Sequence, residues 1–450
     1  MGSIPKRKLF FVGGALLFIL LAFYMVSRIG GDPVAVKRAH LEFWGFESEQ
    51  TWQKIIQSFS NSAGNEGISV TYKKIPEDQF ESRLINALAE NAGPDVFMLK
   101  DSQTKRHVNK IAPLLPPSAE NDLIGMSREE FKNNFVDAAH PIALTQAGII
   151  GFPLYIDTLA LFYNRDYLNS ANIPSPPKTW NEFADAVVKL TKVSPRGDIE
   201  KSGAALGEAL NVEYFADIVS ALIFQQGGMI IRAENNNEPA LTERLEKQLT
   251  QDGATRPFSP AEEALLFYTS FADPQRRNYT WNKSFSNSLD AFANGDTAFL
   301  IGYAGDVARV EAKNPHLNFG ISAFPQPSGS QTRITYGRFA VLSASRLSKN
   351  PLAAWKFIRF VTSRDTSMEY LSLTGLPPAR RDLIQPPENL SEKLTPFYAQ
   401  SLPAKSWPIP DEAAVRSIFR DMIESVLSRR LSISAVLQQA NERMSQLLKQ

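Results

Sequence analysis

Cysteine is absent from all 450 residues. That excludes a disulfide framework, a thiolate nucleophile, a zinc–thiolate site and tethering through a lipid-modified cysteine. Histidine is scarce too. His40, His107, His140 and His316 are widely scattered, and none forms the H-x-x-x-H spacing that sets two imidazoles on one helix face, so no metal is expected. Charge of either sign is not in excess: 48 Lys and Arg stand against 47 Asp and Glu, a formal net charge of +1. No long acidic or basic block disturbs that balance, which excludes a nucleic-acid binder relying on bulk positive charge. A G-x-x-x-x-G-K phosphate loop and a G-x-S-x-G nucleophile elbow are both missing. Glycosidase-type carboxylate pairs are a spatial signature and stay open at this level, although no local pattern supports them. No internal repeat is visible.

What is present begins with an apolar run at 9–26 behind Lys6-Arg7-Lys8. At about 18 residues it is near the minimum for crossing a bilayer. A cleaved signal would carry a shorter apolar core and a small-x-small cleavage site, whereas Ser27-Arg28-Ile29-Gly30-Gly31 follows here. The expectation is an uncleaved anchor: a cytoplasmic basic stub at 1–8, a transmembrane helix at 9–27 and a linker at 28–38. The basic stub stays in the cytoplasm by the positive-inside rule, which puts the body of the chain on the extracytoplasmic face.

That body is long enough for two domains, and a hydrophobic content of 43% with 10% aromatics suffices for large cores. Residues 39–43 read as a strand, breaking at Trp44-Gly45-Phe46. Trp52, Ile55, Ile56 and Phe59 mark one helix face, 68–75 alternates as a strand, and Phe80, Leu84, Ile85 and Leu88 mark a second helix stopped by Gly93-Pro94. Residues 95–99 are a third strand. Strands alternating with helices imply parallel βαβ units and an α/β fold. Residues 206–224 and 260–271 are expected to be helical. At the C-terminus, one stripe of Val415, Ile418, Phe419, Met422, Ile423, Val426 and Leu427 and another of Ile433, Val436, Leu437, Ala440, Met444 and Leu447 are expected to pack on their own lobe rather than form a coiled coil.

The most informative stretch is 151–192, GFPLYIDTLALFYNRDYLNSANIPSPPKTWNEFADAVVKLTK. The continuous apolar run Leu159-Ala160-Leu161-Phe162-Tyr163 suits a strand buried on both faces. Pro174-Ser175-Pro176-Pro177 cannot be helix interior. Thr179 with Glu182 is a capping box for a helix whose buried face is Phe183, Ala186, Val187 and Leu190.

The order of residues in that stretch closely resembles the G-x-P-x-x-x-D-x-x-x-L-x-Y-N-[KR]-D-x-[LF] … P-P-x-T-W-x-E-[LF] signature of the bacterial extracellular solute-binding proteins. The sugar-binding branch, which includes the maltose-binding protein, is the nearest fit. Further segments are similar to family patterns: ALAENAGPDVFML at 87–99, FANGDTA at 292–298, ISAFPQPSG at 321–329, AAWKFIRFV at 353–361 and TGLPPARR at 374–381. Two departures concern the cleft. Tyr303 stands where relatives usually carry tryptophan, and Arg338 where many carry a small residue.

The resemblance covers roughly 39–450 and implies a two-lobed, type II-like periplasmic-binding-protein fold. Lobe one would combine 39–152 with 328–376, and lobe two 157–323 with 380–450. Crossovers would lie near 151–159, 323–329 and 375–381. It further implies a non-enzymatic monomer without cofactor. Such a protein captures a small solute, first of all a mono- or oligosaccharide, and passes it to ABC permease subunits driven by a separate ATPase. A tethered sensor of the same fold, or a polyamine or phosphorylated ligand, are the alternatives.

Ligands of open α/β sheets sit outside the carboxyl ends of strands. Sugar sites combine flat aromatic faces with planar hydrogen-bonding groups. Those rules select Trp44, Phe46 and Glu47 after the first strand, Asp101 after the third, and Tyr155 and Asp157 in the first crossover. They also select Asn211 and Tyr214 at a lobe-two helix, Tyr303 after a lobe-two strand, and Tyr336 and Arg338 after the second crossover; the resemblance adds Trp407, in a segment where relatives often present an aromatic to the cleft. Each has a structural alternative: Trp44 as a buried anchor, Asp101 as a helix cap, Tyr155 and Asp157 as hinge structure, Arg338 as an interlobe salt bridge. Trp180 and Trp355 fall at helical positions of structural motifs and are expected in the core.

Overall fold

A computed structural model of the chain describes residues 38–118, 124–232, 238–248, 255–388 and 390–449. The expected stub at 1–8, the anchor at 9–27 and all of the linker but Arg38 lie outside the described residues. Among the described residues no helix is long and apolar enough to cross a membrane.

The chain opens with β1 (Ala39–Gly45), α1 (Glu49–Asn61), β2 (Ile68–Lys74), α2 (Glu77–Ala89) and β3 (Val96–Lys100). After β4 (Phe152–Pro153) and β5 (Asp157–Thr158) come β6 (Ala160–Asn164), α3 (Trp180–Leu190), β7 (Lys192–Val193), β8 (Ile199–Ala204) and α4 (Phe215–Gln225). Next are α5 (Pro260–Ser270), β9 (Thr297–Gly302), α6 (Gly305–Lys313) and β10 (Phe319–Ala323). The chain returns through β11 (Thr335–Arg338), β12 (Ala340–Ala344), α7 (Pro351–Val361) and α8 (Arg364–Thr374). It ends with β13 (Ala404–Lys405), α9 (Glu412–Leu427) and α10 (Ile433–Leu448).

Two five-stranded sheets result. Lobe one has the order β2-β1-β3-β12-β4, and lobe two the order β10-β6-β9-β8-β7. In lobe one, β1 pairs in parallel with β2 and β3, while the returning β12 is antiparallel to β3, with Ala340 opposite Lys100. In lobe two, β6 is antiparallel to both β9 and β10. Each sheet has its own buried core. Phe43, Trp52, Phe97, Phe152 and Trp355 belong to one; Phe183, Ile218, Phe271, Phe299 and Phe419 belong to the other.

Local sequence accounts for these elements. Thr179 accepts from the Glu182 amide and Glu182 accepts from the Thr179 amide, both at 3.2 Å, and α3 buries Trp180, Phe183, Ala186, Val187 and Leu190. Both C-terminal stripes pack on lobe two, as their spacing predicts. One helix starts later than its apolar pattern suggests. Of 206–224, only the part from Phe215 is helical. Gly207 has φ +107°, outside the helical range, and Asn211 is committed to the carbonyls of Asn282 and Phe285, each at 3.0 Å. Trp281 is buried, and its indole donates to Asn211 at 2.9 Å.

The lobes meet at a third, three-stranded sheet of order β13-β11-β5. Gly337 and Arg338 of β11 lie opposite Thr158 and Asp157, and Thr335 lies beside Ala404. Tyr155 bridges to Pro378, so the first and third passages between lobes run side by side. Phe324 and Tyr336 still pack with lobe two, whereas Phe339 packs with lobe one. The second change of core therefore falls between 336 and 339, later than the 323–329 proline-rich turn. Leu383 and Ile384 still touch lobe one and Leu394 touches the lobe-two side, which puts the third change after 384 rather than at 375–381.

Gly337 sits in the middle of this hinge sheet, where a Cβ would lie 2.8 Å from Ile156 Cδ1 and 3.1 Å from Ala404 Cβ. Gly337→Ala should overpack the hinge and cost about 1–3 kcal/mol, read as a lower urea midpoint with an unchanged denaturant slope.

Candidate functional site

A cavity of about 560 Å³ opens between the lobes. Its walls are built from strand ends. Phe46 follows β1, Glu77 opens α2 after β2, and Lys100 ends β3 just before Asp101. From lobe two, Tyr303 follows β9, with Asp306 and Arg309 one and two turns into the segment behind it, and Glu213 and Tyr214 lead into α4. The hinge contributes Tyr155, Asp157 and Arg338, and Phe339 and Leu376 complete the wall.

Arg338 is the densest node. It lies on β11, which runs along α4, so that Tyr336 stacks on Phe224 with centroids 6.3 Å apart while Arg338 reaches Asp217. Its guanidinium grips the Asp217 carboxylate with Nε at 2.7 Å and Nη2 at 2.9 Å, and Nη1 donates to Glu412 at 3.2 Å. The Tyr303 hydroxyl donates to Asp217 at 2.7 Å, and the Ser102 hydroxyl of lobe one donates to Glu412 at 2.7 Å. Arg106 adds a 3.1 Å contact to Asp411, the N-cap of α9. The N-terminus of α9 is thereby held by lobe one as well as by the hinge.

A second node orders the lobe-two wall. Asp306 accepts from the Tyr214 hydroxyl at 3.0 Å, from Arg309 at 2.7 Å and from the Tyr303 amide at 2.9 Å. Tyr214 and Tyr303 meet edge to face, 4.8 Å between centroids. Asp157 reaches across from the hinge to the Ala304 and Gly305 amides at 2.8 and 3.3 Å, where its charge faces the first turn of α6.

Burial pushes Asp101 up to about 7, against the nearby Arg338 charge. It pushes Asp157 up to about 7 as well, against the two amides. Glu47 is likewise raised to about 7 by burial, opposed by the Tyr370 hydroxyl that donates to it at 2.6 Å. Burial also works against the charge on Glu412, but Arg338 and Ser102 bring it below the ordinary carboxylate range.

The structure brings together Phe46, Asp101, Tyr155, Asp157, Tyr214, Tyr303 and Arg338 from the candidates. It leaves out Trp44, Glu47, Asn211, Tyr336 and Trp407 as wall residues. Trp44 lies off the cavity: its indole donates to Glu42 at 2.5 Å and lies under the Lys73 ammonium, 4.5 Å from the ring centroid. Glu47 is half-buried beside Tyr370 and Tyr72. Asn211 ties loops together, Tyr336 fills the hinge core, and Trp407 is buried in lobe two. Glu77, Lys100, Glu213, Gly305, Asp306, Arg309, Phe339 and Leu376 are wall residues outside the candidate set. For Glu77 a signal existed, since it follows a strand end just as Asp101 does. Arg309 is recognisable only as the residue one turn after Asp306.

Two lobes, a hinge sheet and an aromatic cleft walled from both sides define a two-lobed solute-binding protein. The profile of the bacterial extracellular solute-binding protein family matches residues 45–368. A binding protein of Brucella abortus (strain 2308) is 22% identical over 399 residues, covering 86% of this chain and 87% of its own length. Among solved structures, the cyclic alpha-maltosyl-1,6-maltose binding protein from Arthrobacter globiformis aligns with a TM-score of 0.72 at 16% identity, over 91% of this chain and 99% of that one. The sugar-binding protein MalE from Xanthomonas citri aligns at 0.69 and 21%, over 91% and 98%. The chain belongs to the bacterial extracellular solute-binding protein family.

Arg338→Leu should strand the Asp217 carboxylate, which is 3% exposed, and cost about 3 kcal/mol in chemical denaturation. Arg338→Lys should recover only part of this, because an ammonium cannot repeat the two-pronged contact. The raised carboxylates also set a pH trend. Between about pH 4 and about pH 7 the folded protein keeps protons on Asp101 and Asp157 that the unfolded chain has released. Their contribution is thus most favourable at low pH and is lost as pH rises through 7. The thermal midpoint should fall between about pH 5 and about pH 7.5, and Asp101→Asn should flatten that slope.

Proposed function

We propose that this chain is the substrate-binding component of an ABC importer, tethered to the membrane by residues 9–27 with its lobes on the extracytoplasmic face. It captures a mono- or oligosaccharide in the interlobe cleft by hinge closure and delivers it to permease subunits powered by a separate ATPase. It acts as a monomer and performs no chemistry on the ligand.

The observation that carries this reading is the composition of the cleft wall. Phe46, Tyr155, Tyr214, Tyr303 and Phe339 offer aromatic faces, and they alternate with carboxylates and guanidinium groups held in fixed geometry. Aromatic faces cover the apolar side of a pyranose, and planar polar groups take its hydroxyls in pairs. A volume of about 560 Å³ suits a small saccharide. Sugar-binding names among the structural neighbours point the same way.

A thermal-shift screen against mono- and oligosaccharides tests the reading. A ligand at a hundredfold its dissociation constant stabilises by roughly 2.7 kcal/mol and should raise the midpoint by a few degrees. Silence across the panel would sink the saccharide assignment. With a hit in hand, Tyr303→Ala should weaken binding at least about tenfold, or 1.4 kcal/mol, whereas Trp44→Ala should leave affinity within about twofold, because its ring lies off the cavity.

A further inference from the structure

The charges of the cleft wall do not balance, and the imbalance has one address. Every cation in the wall already has a carboxylate. Lys100 pairs with Glu77 at 2.5 Å, Arg309 with Glu213 at 2.8 Å and Asp306 at 2.7 Å, and Arg338 with Asp217 at 2.7 Å and Glu412 at 3.2 Å. An anionic group entering the cleft would have to displace one of these partners, so a phosphorylated solute is disfavoured.

Among the described residues, two wall carboxylates form no ion pair, Asp101 and Asp157. Asp157 is committed to the Ala304 and Gly305 amides. Asp101 is different. It is 2% exposed and directly follows β3; among the described residues its carboxyl group accepts from the Ser406 hydroxyl at 3.3 Å and from the Ser102 amide, and neither partner is a cation. The groups that face it are Arg338 and Tyr336 from β11, Asp217 from α4, Glu412 from α9, Tyr155 from the first crossover, Ser406 and the neighbouring Ser102. One guanidinium therefore stands among three carboxylates, and its hydrogen bonds go to the other two. A buried carboxylate without a cation is costly in its charged form, which is why Asp101 holds its proton up to about 7. An ammonium group would relieve that cost, and the aromatic residues Tyr155, Tyr303 and Phe339 belong to the same wall.

We infer that the cleft selects a saccharide bearing a single ammonium group, an amino sugar, and that Asp101 is the specificity-determining residue that receives its charge. This deepens the saccharide reading and rests on it. One leftover carboxylate matches one ammonium, not the several of a polyamine.

The test is calorimetric titration of the full chain with paired probes: glucosamine against glucose, galactosamine against galactose, and the β-1,4-linked glucosamine disaccharide against cellobiose. In at least one pair the amino member should bind about tenfold tighter than its neutral parent at pH 7, and Asp101→Asn should collapse that ratio. The unmodified protein supplies a second readout, independent of how the variant folds. Below about pH 7 an ammonium ligand must expel the Asp101 proton, so its affinity should weaken by up to about tenfold for each pH unit down to about 5.5, while the neutral parent should show no such loss. Parents binding as tightly as their amino partners, an amino preference that survives Asp101→Asn, or an amino affinity flat with pH would each overturn the inference. Parents binding alone would overturn it and leave the saccharide reading standing. Binding of neither class would overturn both.

Discussion

The bidentate contact between Arg338 and Asp217 is the constraint on which the interlobe geometry depends. It joins the hinge strand β11 to the first turn of α4, and the same guanidinium reaches Glu412 at the first turn of α9. Both carboxylates also serve a second master: Tyr303 of the cleft wall donates to Asp217, and Ser102 of lobe one donates to Glu412. A single side chain thus fixes the hinge against two lobe-two helices, and through Tyr303 and Ser102 it fixes both sides of the cleft. Such a network gains little over an apolar core of the same volume. It is intolerant of losing one member, because the remaining buried charge has nowhere to go. Its value is in specifying one arrangement.

That arrangement makes ligand capture a matter of differential contact. The aromatic pair Tyr214–Tyr303 belongs to lobe two, Phe46 and Asp101 to lobe one, and Tyr155 and Asp157 to the hinge between them. In the proposed function, a ligand that touches all three groups would gain contacts as the lobes approach, and that difference would shift the population toward a closed form. The contacts Ser102–Glu412 and Arg106–Asp411 tie lobe one to the N-terminus of α9. Asp157, gripping the first turn of α6 from the hinge, couples the position of Tyr303 to the strand pairing of β5.

The electrostatics of the cleft follow from burial more than from composition. A chain with nearly equal numbers of acids and bases still folds so that Asp101 and Asp157 are both pushed up to about 7. Desolvation does this, opposed by the Arg338 charge at Asp101 and by the Ala304 and Gly305 amides at Asp157. None of these distances is encoded locally. Asp101 and Arg338 are 237 positions apart in the chain.

By itself the sequence determined the strand–helix alternation, the capping box at Thr179 and the buried run at 159–163, because these depend on spacing within a window of a few residues, while the two-lobed fold followed from the resemblance of whole segments to a family. It also marked the strand ends, and so placed Phe46, Asp101, Tyr155, Asp157, Tyr214, Tyr303 and Arg338 at the cleft before any coordinates. Tertiary structure alone decided which face of a strand is the cleft face. Trp44 and Phe46 are two positions apart, yet the strand ends at Gly45, so alternation fails to relate them; one ring packs under Lys73 and the other lines the cavity. Likewise, the helix at 206–224 begins late because the backbone at Gly207 and the bonds of Asn211 belong to a loop packed on a distant one. Apart from the one-turn pair Asp306–Arg309, which carboxylate meets which cation, and which is left over, is set by contacts between segments well separated in the chain, as Arg338 with Asp217 and Glu412, where short-range patterns carry no information.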